Sequence, residues 1–499
     1  MNDRKLIFDV AKGMVILLVA MLACKYTMGG GAALLAIAAF VCAVSGRVGW
    51  ALIAYILFPF MVVMNPYVLP KSGATGMILR VATFTTTFGL LISSASRSGR
   101  HSIPIGMIWP YLGAAALSSM NGYYPEVSYL KLVNCAILFV GLQIGFRNMD
   151  RRPDDVLTVR KFLLVLVAFL IFGSVLLLVL MPGAAYITSV GEVLKEEGME
   201  AANAAARSYT GVSLFAGITN QSQCLATILP CSMAWLVCDM FFVEKRISLF
   251  HVLTLTMGLP MIYMTRSRSA FLTSSVAVFF IYFYCLGKIN IRMSVKRKIR
   301  SAMILAGIGV VILMAFMEAR NHSISKWLRK TEDLAGDERG LTEAFTASRQ
   351  GKVEDNLADF RVNPVFGTGF QVSYDMKYAF KGSTGLILSA PIEKSILPLM
   401  VLGETGVVGF AAFLIFIGTF YWACVKKRYY CTLTLMTVFI TTNMAEATFF
   451  SPGGVGGTLW VLCVGGGFVI DTIVLYHRRL ERIAREQQMM EMAMMMQGR

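Results

Sequence analysis

Long apolar stretches, separated by short polar connections, recur along the whole chain. Many of them are about 18–22 residues long, the length that a helix needs to cross a bilayer, and carry almost no charge. The pattern predicts an all-α polytopic membrane protein with about 14 transmembrane helices. The predicted spans are 8–24, 30–46, 48–64, 78–94, 103–119, 128–146, 161–181, 213–242, 248–264, 269–287, 301–317, 395–424, 430–450 and 457–476.

The composition agrees with this pattern. The 499 residues are 56% hydrophobic, with a mean hydropathy of +0.65, which is more apolar surface than one soluble core could hide. The ten cysteines lie in or beside apolar stretches, without a CxxC pair or a Cys/His pair at metal spacing. We therefore predict no metal site, no cofactor and no disulfide framework. The charged start before the first apolar stretch is interpreted as the edge of a transmembrane helix, not as a signal peptide.

The net charge of +17 is distributed asymmetrically. Connections that would alternate onto one side, including both termini, carry 26 Lys or Arg against 8 Asp or Glu. The long connection 318–391 on the other side has ten of each sign. The positive-inside rule then places both termini in the cytoplasm. The basic excess reflects topology and contact with anionic membrane lipids, so we predict no nucleic-acid partner.

Five regions follow from this topology. They are N-terminal transmembrane helices (1–181), further helices with a first outer loop at 182–212 (182–317), a large outer loop (318–391), C-terminal helices (392–476) and a cytoplasmic tail (477–499). The first outer loop has the pattern of a short amphipathic surface helix. The large loop reads as two helical pieces followed by a turn-rich stretch, 361–370, in which Asn363-Pro364 starts a turn.

Four arginines face outward, where the positive-inside rule gives no reason for them: Arg207, Arg266, Arg268 and Arg349. Guanidinium groups suit phosphate oxygens, so arginines from several outer elements could converge on a diphosphate. A lipid-linked diphosphate is the leaving group of sugar transfer at the outer leaflet, and its growing charge needs cations. Without a DxD-like metal pair, the arginines would stabilise that charge. The acceptor hydroxyl needs a base, for which Glu393 and His322 are candidates.

Other polar residues are expected on the same outer face: Tyr209, Asn220, Gln221, Gln223, Ser269, Asn363, Lys394, Glu404, Asn443 and Glu446. Each candidate also has a purely structural interpretation. A single arginine beside a span can reach lipid headgroups, and His322 can be a solvated loop residue. Glu404, within a span, can be a helix-packing carboxylate, although an intramembrane acid is a functional candidate by default. The methionine-rich tail is interpreted as an amphipathic helix end rather than a metal site.

Four stretches within residues 205–450 resemble motifs of the O-antigen ligase and polymerase superfamily. They are "RSYTGVSLFAGITNQSQCLA" with Arg207, "TRSRSAFL" with Arg268, "ASRQGKVEDNLADFRVNPVFGTGF" with Arg349, and "EKSILPLMVLGETGVVGF" with Glu393. The family consists of multispanning bacterial inner-membrane glycosyltransferases. The resemblance implies a C-type, all-helical architecture, an undecaprenyl-diphosphate-linked oligosaccharide as donor, and a metal-independent transfer to a polysaccharide or lipid-linked glycan in the periplasm.

The resemblance also suggests residue roles. Arg268 and Glu393 would be catalytic, and the substrate-binding residues would be Arg207, Arg266, Arg349, Asn220, Gln223, Asn363 and Glu446. Ligases of the family carry a histidine where this chain has "EKS", so Glu393 would take the role of the base. This departure favours a polymerase or an exopolysaccharide-type relative over a lipopolysaccharide-core ligase. Two alternatives remain: a transporter of lipid-linked glycan that makes no bond, and a structural member of a secretion complex.

Overall fold

A computed structural model gives the fold of most of the chain. It describes residues 3–27, 29–69, 74–94, 103–149, 153–186, 214–281, 284, 297, 300–301, 304, 353–372 and 396–497. Within these ranges the chain is helical and contains no strand, although two isolated bridges pair Met64 with Thr219 and Tyr186 with Phe215. The first outer loop beyond Tyr186 and most of the large outer loop lie outside them.

The helices follow the apolar stretches closely. Their bounds are α1 Asp3–Tyr26, α2 Gly30–Val44, α3 Val48–Val62, α4 Ala74–Ser94, α5 Ile108–Met120, α6 Pro125–Met149, α7 Pro153–Leu180, α8 Ser222–Cys238, α9 Leu249–Met264, α10 Arg268–Phe280, α11 353–362, α12 Leu397–Lys427, α13 Tyr430–Asn443 and α14 Gly466–Gln497. A π-helical turn, Asp239–Glu244, continues α8. Residues Val455–Leu459 and a π-helical turn at Trp460–Gly465 lead directly into α14.

Seven of the described helical segments are long and apolar enough to cross a membrane. They are Asp3–Tyr26, Thr75–Ser93, Pro125–Arg147, Pro153–Leu180, Ser222–Glu244, Leu397–Lys427 and Val455–Met495. Four more apolar helices, α2, α3, α9 and α10, are shorter. The prediction of an all-α fold is therefore confirmed for the described residues, and the seven long apolar segments agree with a membrane protein. Helices overlap every predicted span except 301–317, which lies almost wholly outside the described residues, and the count of fourteen stays a prediction.

Burial distinguishes the centre of the bundle from its edge. The segments Ser222–Glu244 and Val455–Met495 are 89% and 83% buried over their most apolar windows, whereas Asp3–Tyr26 is only 22% buried. A helix that is apolar all round and buried all round belongs in a core. By contrast, α1 exposes Phe8, Val15, Ile16 and Val19. These side chains form an apolar outer surface of the kind that lipid covers.

The connections gather at two ends of the bundle. At one, called the basic end here, Arg246 pairs with Asp3 at 2.8 Å and Lys245 with Glu481 at 3.8 Å. At the other, the loop end, lie the connections 63–69, 120–125, 182–186, 214–221, 264–268, 363–372 and 444–454. The candidate residues within the described ranges lie at or near the loop end.

The last helix extends beyond the bundle at the basic end. Helix α14 runs to Gln497, and nearly every residue from Tyr476 to position 495 is exposed. At 1.5 Å per residue, this projecting part is about 30 Å long. Its contact between Glu481 and Lys245 is close to its base.

A buried ionic cluster holds helices α7, α8 and α9 together near the basic end. Arg160 bonds both carboxylate oxygens of Asp239, at 2.6 and 2.9 Å, and also Glu244 at 2.7 Å. The ring of His251 lies 3.2 Å from Asp239, and both of these side chains are fully buried. Buried charges are tolerated only when they are paired and hydrogen-bonded, as they are here.

Replacing Asp239 with Asn should lower the stability of the bundle substantially. The change leaves the buried Arg160 guanidinium with fewer anionic partners, which costs about 3 kcal/mol at a buried pair. The measurement is the apparent melting temperature of the detergent-solubilised protein. Asp355→Asn, the same change on an exposed residue of α11, is the control and should not shift the melting temperature. Equal melting of the two variants would show that the cluster contributes little.

Candidate functional site

The turn between α9 and α10 contains two of the four arginines that the sequence predicts to face outward. Arg266 has a φ of 50°, the left-handed region that a side chain with a Cβ rarely adopts. Ser267 then begins α10 as its N-cap, since its hydroxyl accepts a hydrogen bond from the N–H of Ala270 at 3.3 Å. Arg268 is the first residue of α10. Both arginines are half-buried, so the turn holds two cations at the loop end of the bundle.

The segment 214–220 lies beside this turn. The N–H of Phe215 donates to the carbonyl of Met264, the last residue of α9, at 3.4 Å. Asn65, a buried residue shortly after α3, forms two hydrogen bonds to this segment. Its side chain donates to the carbonyl of Gly217 at 3.2 Å, and its backbone N–H donates to the carbonyl of Ile218 at 2.7 Å. The N–H of Asn220 then bonds Val63. This arrangement places half-buried Asn220 and exposed Gln223 at the loop end, near the arginine turn.

The end of α13 reaches the same region. The hydroxyls of Thr442 and of Thr273, in α10, are 3.4 Å apart. Asn443 is fully buried and stabilises its own turn, because its side chain donates to Phe439 at 2.8 Å and accepts from the N–H of Thr448 at 2.7 Å. The side-chain amide of Asn443 therefore stabilises the local backbone, which agrees with the purely structural interpretation of this residue. Glu446, in the turn that follows, is half-buried.

Helix α12 is broken at Gly406, where φ is 62° and ψ is −166°. In an unbroken helix, the N–H of Val407 would bond the carbonyl of Gly403, and that of Val408 would bond Glu404. The two N–H groups instead donate to Pro364 at 2.9 Å and Val365 at 3.2 Å.

The two carbonyls freed by the break also find partners in the loop 363–370, which carries "NPVFGTGF". The carbonyl of Gly403 accepts from the N–H of Thr368 at 3.2 Å, and that of Glu404 accepts from Gly369 at 3.1 Å. The loop thus bonds two donors and two acceptors of α12 beside the break. Two motifs that are far apart in the chain form one unit.

Glycine is required on both sides of this contact. Gly406 and Gly367 both have positive φ, 62° and 79°. A Cβ on Gly406 would collide with the carbonyl of Val365, and one on Gly367 with the carbonyl of Glu404. The close approach of the two backbones therefore depends on the absence of side chains at both positions.

The hairpin of α5 and α6 grips the other side of the loop. The hydroxyl of Ser118 donates to the carbonyl of Glu404 at 2.5 Å and accepts from the N–H of Gly369 at 3.1 Å. Tyr123 N–H bonds Thr368 at 3.0 Å. Further along, Ser128 donates to Phe370 and the ammonium of Lys131 to Gln371, both at 2.9 Å.

Sequence reasoning missed this hairpin. Lys131 is 1% exposed although it lies inside the predicted span 128–146. A lysine within an apolar span is a signal that could have drawn attention to it. Ser118 and Ser128 offered no comparable signal, because serine is common in helices that pack closely.

Glu404 itself lies in the protein interior, 1% exposed. Nearby, the ring of Tyr111 in α5 lies edge-on to Phe413 of α12, with 5.8 Å between the ring centroids. The Tyr111 ring stacks on Phe450 at 4.6 Å between centroids, and the Gln371 side chain donates to the carbonyl of Phe450. The break in α12, the loop 363–372 and the connection 444–454 therefore form one packed region at the loop end.

The predicted site residues divide into two groups. Arg266, Arg268, Asn220, Gln223 and Glu446 lie on neighbouring elements of the loop end. Asn363 also lies there, where its side-chain oxygen accepts from the N–H of Phe366 at 3.2 Å and so stabilises the predicted turn. Arg207, Arg349 and Glu393 lie outside the described residues, as do Tyr209, His322 and Lys394.

No protein-family model matches the chain, and neither a curated protein nor a solved structure matches it. The resemblance to glycosyltransferase motifs therefore depends on the quoted residues alone.

Replacing Arg266 with Gly should raise the apparent melting temperature slightly. Glycine adopts a positive φ freely, whereas another L residue there costs about 1 kcal/mol. Arg266→Val should lower it, since a branched Cβ disfavours this conformation further. Arg268→Gly is the matched control at the first helical position of α10, where φ is negative, and should lower the melting temperature. If Arg266→Gly melts earlier than the unmodified protein, contacts of the side chain outweigh the backbone strain.

Proposed function

We propose that this chain is a polysaccharide polymerase or O-antigen-ligase-like glycosyltransferase of the bacterial inner membrane. It moves a glycan from undecaprenyl diphosphate to a sugar hydroxyl on a polysaccharide or lipid-linked acceptor at the periplasmic face. In this proposal the chain has about 14 spans of C-type architecture, with both termini in the cytoplasm. The loop end of the bundle then faces the periplasm.

The observation that carries the proposal is the convergence of separate motifs at one end of the bundle. The segment 214–223, the arginine turn 265–268, the loop 363–370 and the break in α12 all belong to stretches on which the resemblance depends. Residues that share a substrate must meet in space, although they are up to about 190 positions apart in the chain. Half-buried guanidinium groups at that end suit the oxygens of a diphosphate.

Each group has a role in the proposed reaction. The acceptor hydroxyl attacks the anomeric carbon of the donor sugar, and the bond from that carbon to the diphosphate oxygen breaks. Undecaprenyl diphosphate leaves with the electron pair, and Glu393 accepts the hydroxyl proton. Arg207, Arg268 and Arg349 stabilise the charge that grows on the leaving diphosphate, with Arg266 in support. Asn220, Gln223, Asn363 and Glu446 would bind the sugars.

The broken helix gives specific support to a second candidate, a transporter of lipid-linked glycan. Transporters build substrate sites from discontinuous transmembrane helices and buried acidic groups. Helix α12 has both features, with its break at Gly406 and the buried Glu404. Such a carrier would move the glycan across the bilayer and make no glycosidic bond.

Arg268→Ala should reduce glycan transfer by roughly 100-fold, because the leaving diphosphate loses a charged hydrogen-bond donor. Purified protein is incubated with undecaprenyl-diphosphate-linked oligosaccharide, and the chain length of the product is measured. Arg268→Lys should recover part of the rate, since it restores the charge without the planar fork.

Arg361→Ala is the matched control for this experiment. Arg361 is an exposed arginine beside the loop 363–370, so its loss removes the same charge from the same end of the bundle. Transfer should stay within about twofold of the unmodified rate, as for surface charges outside a site. Equal loss in both variants would reduce the role of Arg268 to general electrostatics, and unchanged transfer in Arg268→Ala would exclude it from the reaction.

Glu404→Gln discriminates the two candidate functions. In the enzyme, it should change stability more than the identity of the product, because Glu404 is packed within the bundle. In the carrier, it should abolish movement of the labelled lipid-linked glycan across proteoliposome membranes. Glycan movement by the unmodified protein, without any longer product, would favour the carrier and overturn the enzyme.

A further inference from the structure

The backbone groups of α12 that bond the loop 363–370 could instead bond one another. The donors of Val407 and Val408 and the acceptors of Gly403 and Glu404 are the groups that would close α12 into a continuous helix. We propose that these two segments form a two-state element. In one state the loop is inserted and the helix is broken, as in this structure. In the other the loop is released and α12 is continuous through Gly406.

The second state is possible because α12 can satisfy its own backbone. Only Gly406 has non-helical backbone angles inside Leu397–Lys427. Rotation of this one glycine into helical φ and ψ brings each freed N–H towards the carbonyl four residues earlier. A broken helix without this option would leave four polar groups unsatisfied within the bundle, at a high cost in a low-dielectric surrounding. Helix closure removes that penalty.

The groups that grip the loop also have alternatives. Ser119, the neighbour of Ser118, bonds the carbonyl of Ala115 four residues earlier at 2.7 Å. Ser118 can turn to the carbonyl of Ala114 in the same way when Gly369 leaves. Tyr123 N–H lies in the short turn between α5 and α6, where water can replace Thr368 as its acceptor. Ser118 and Tyr123 therefore keep hydrogen-bond partners when the loop is released.

The inserted state is held by contacts that glycine alone permits. Any side chain on Gly406 or Gly367 would collide with the opposing backbone, and both residues need positive φ in this state. Neither requirement applies once the loop is out, since a helical residue at 406 has negative φ. Glycine at these two positions thus allows the inserted state, and alanine selects against it.

Release of the loop 363–370 would also loosen the packing of the neighbouring helix α11 on α12. Helix α11, directly before the loop, packs on α12 at Gly403, where a Cβ would lie 2.9 Å from the carbonyl oxygen of Asn356. A switch at Gly406 therefore changes how the polypeptide on the N-terminal side of the loop is held to the bundle. This inference does not depend on glycosyl transfer, because it concerns only the backbone of the described residues.

Hydrogen exchange of the full-length protein in detergent, read by mass spectrometry, tests the proposal. Peptides that cover 363–372 and 403–412 should both exchange slowly in the unmodified protein. In Gly406→Ala, the loop peptide should exchange at least ~10-fold faster while the helix peptide stays slow, because α12 has closed. Gly367→Ala should give the same pattern while the amino-acid sequence of α12 stays unmodified. This second variant keeps the test valid if Gly406→Ala fails to fold.

Gly418→Ala is the matched control. It makes the same substitution in the same helix, at a position where a Cβ would meet nothing within 4 Å, so both peptides should stay slow. Fast exchange of both peptides in the Gly406 and Gly367 variants would mean that α12 melts when the loop leaves, which overturns the two-state element. Slow exchange of both would mean that the loop stays inserted, and this result overturns it as well.

Discussion

The backbone hydrogen bond is the interaction on which this structure depends most. An apolar surrounding offers no water to an unpaired N–H or C=O, so a break in a buried helix needs a partner for every group that it frees. At Gly406 the partner is a loop from elsewhere in the chain, and four bonds replace two. Helix α11, the loop 363–370 and the hairpin of α5 and α6 all contact α12 beside that one break.

The sequence predicted the helices well because lipid imposes a simple rule on them. A span must be apolar and about 20 residues long, and this pattern is visible without knowledge of any partner. The turn at Asn363 was also predictable, since asparagine followed by proline favours turns through local bonds. The partnership of that turn with Gly406 was not, because "GETGVVGF" has the same apolar character as an unbroken helix. Pairing of distant backbones leaves no periodic pattern in a single sequence.

The two ends of the bundle are stabilised by different physics. At the basic end, Arg160, Asp239 and Glu244 form a buried ionic cluster in which the loss of one member leaves a buried charge with fewer partners. At the loop end, neutral backbone bonds dominate, and those between α12 and the loop 363–370 have a replacement within α12. The first arrangement favours a single fixed geometry, whereas the second allows rearrangement at modest cost. The candidate site lies at the end that can rearrange.

The projecting part of α14 has a mechanical consequence. It continues without interruption from the π-helical turn at Trp460–Gly465 in the centre of the bundle, where every residue is buried. A rigid rod of about 30 Å amplifies rotation, so a tilt of about 5° at its base moves its tip by about 3 Å. A spectroscopic label near Gln497 would therefore report small movements of the core at a position outside the membrane.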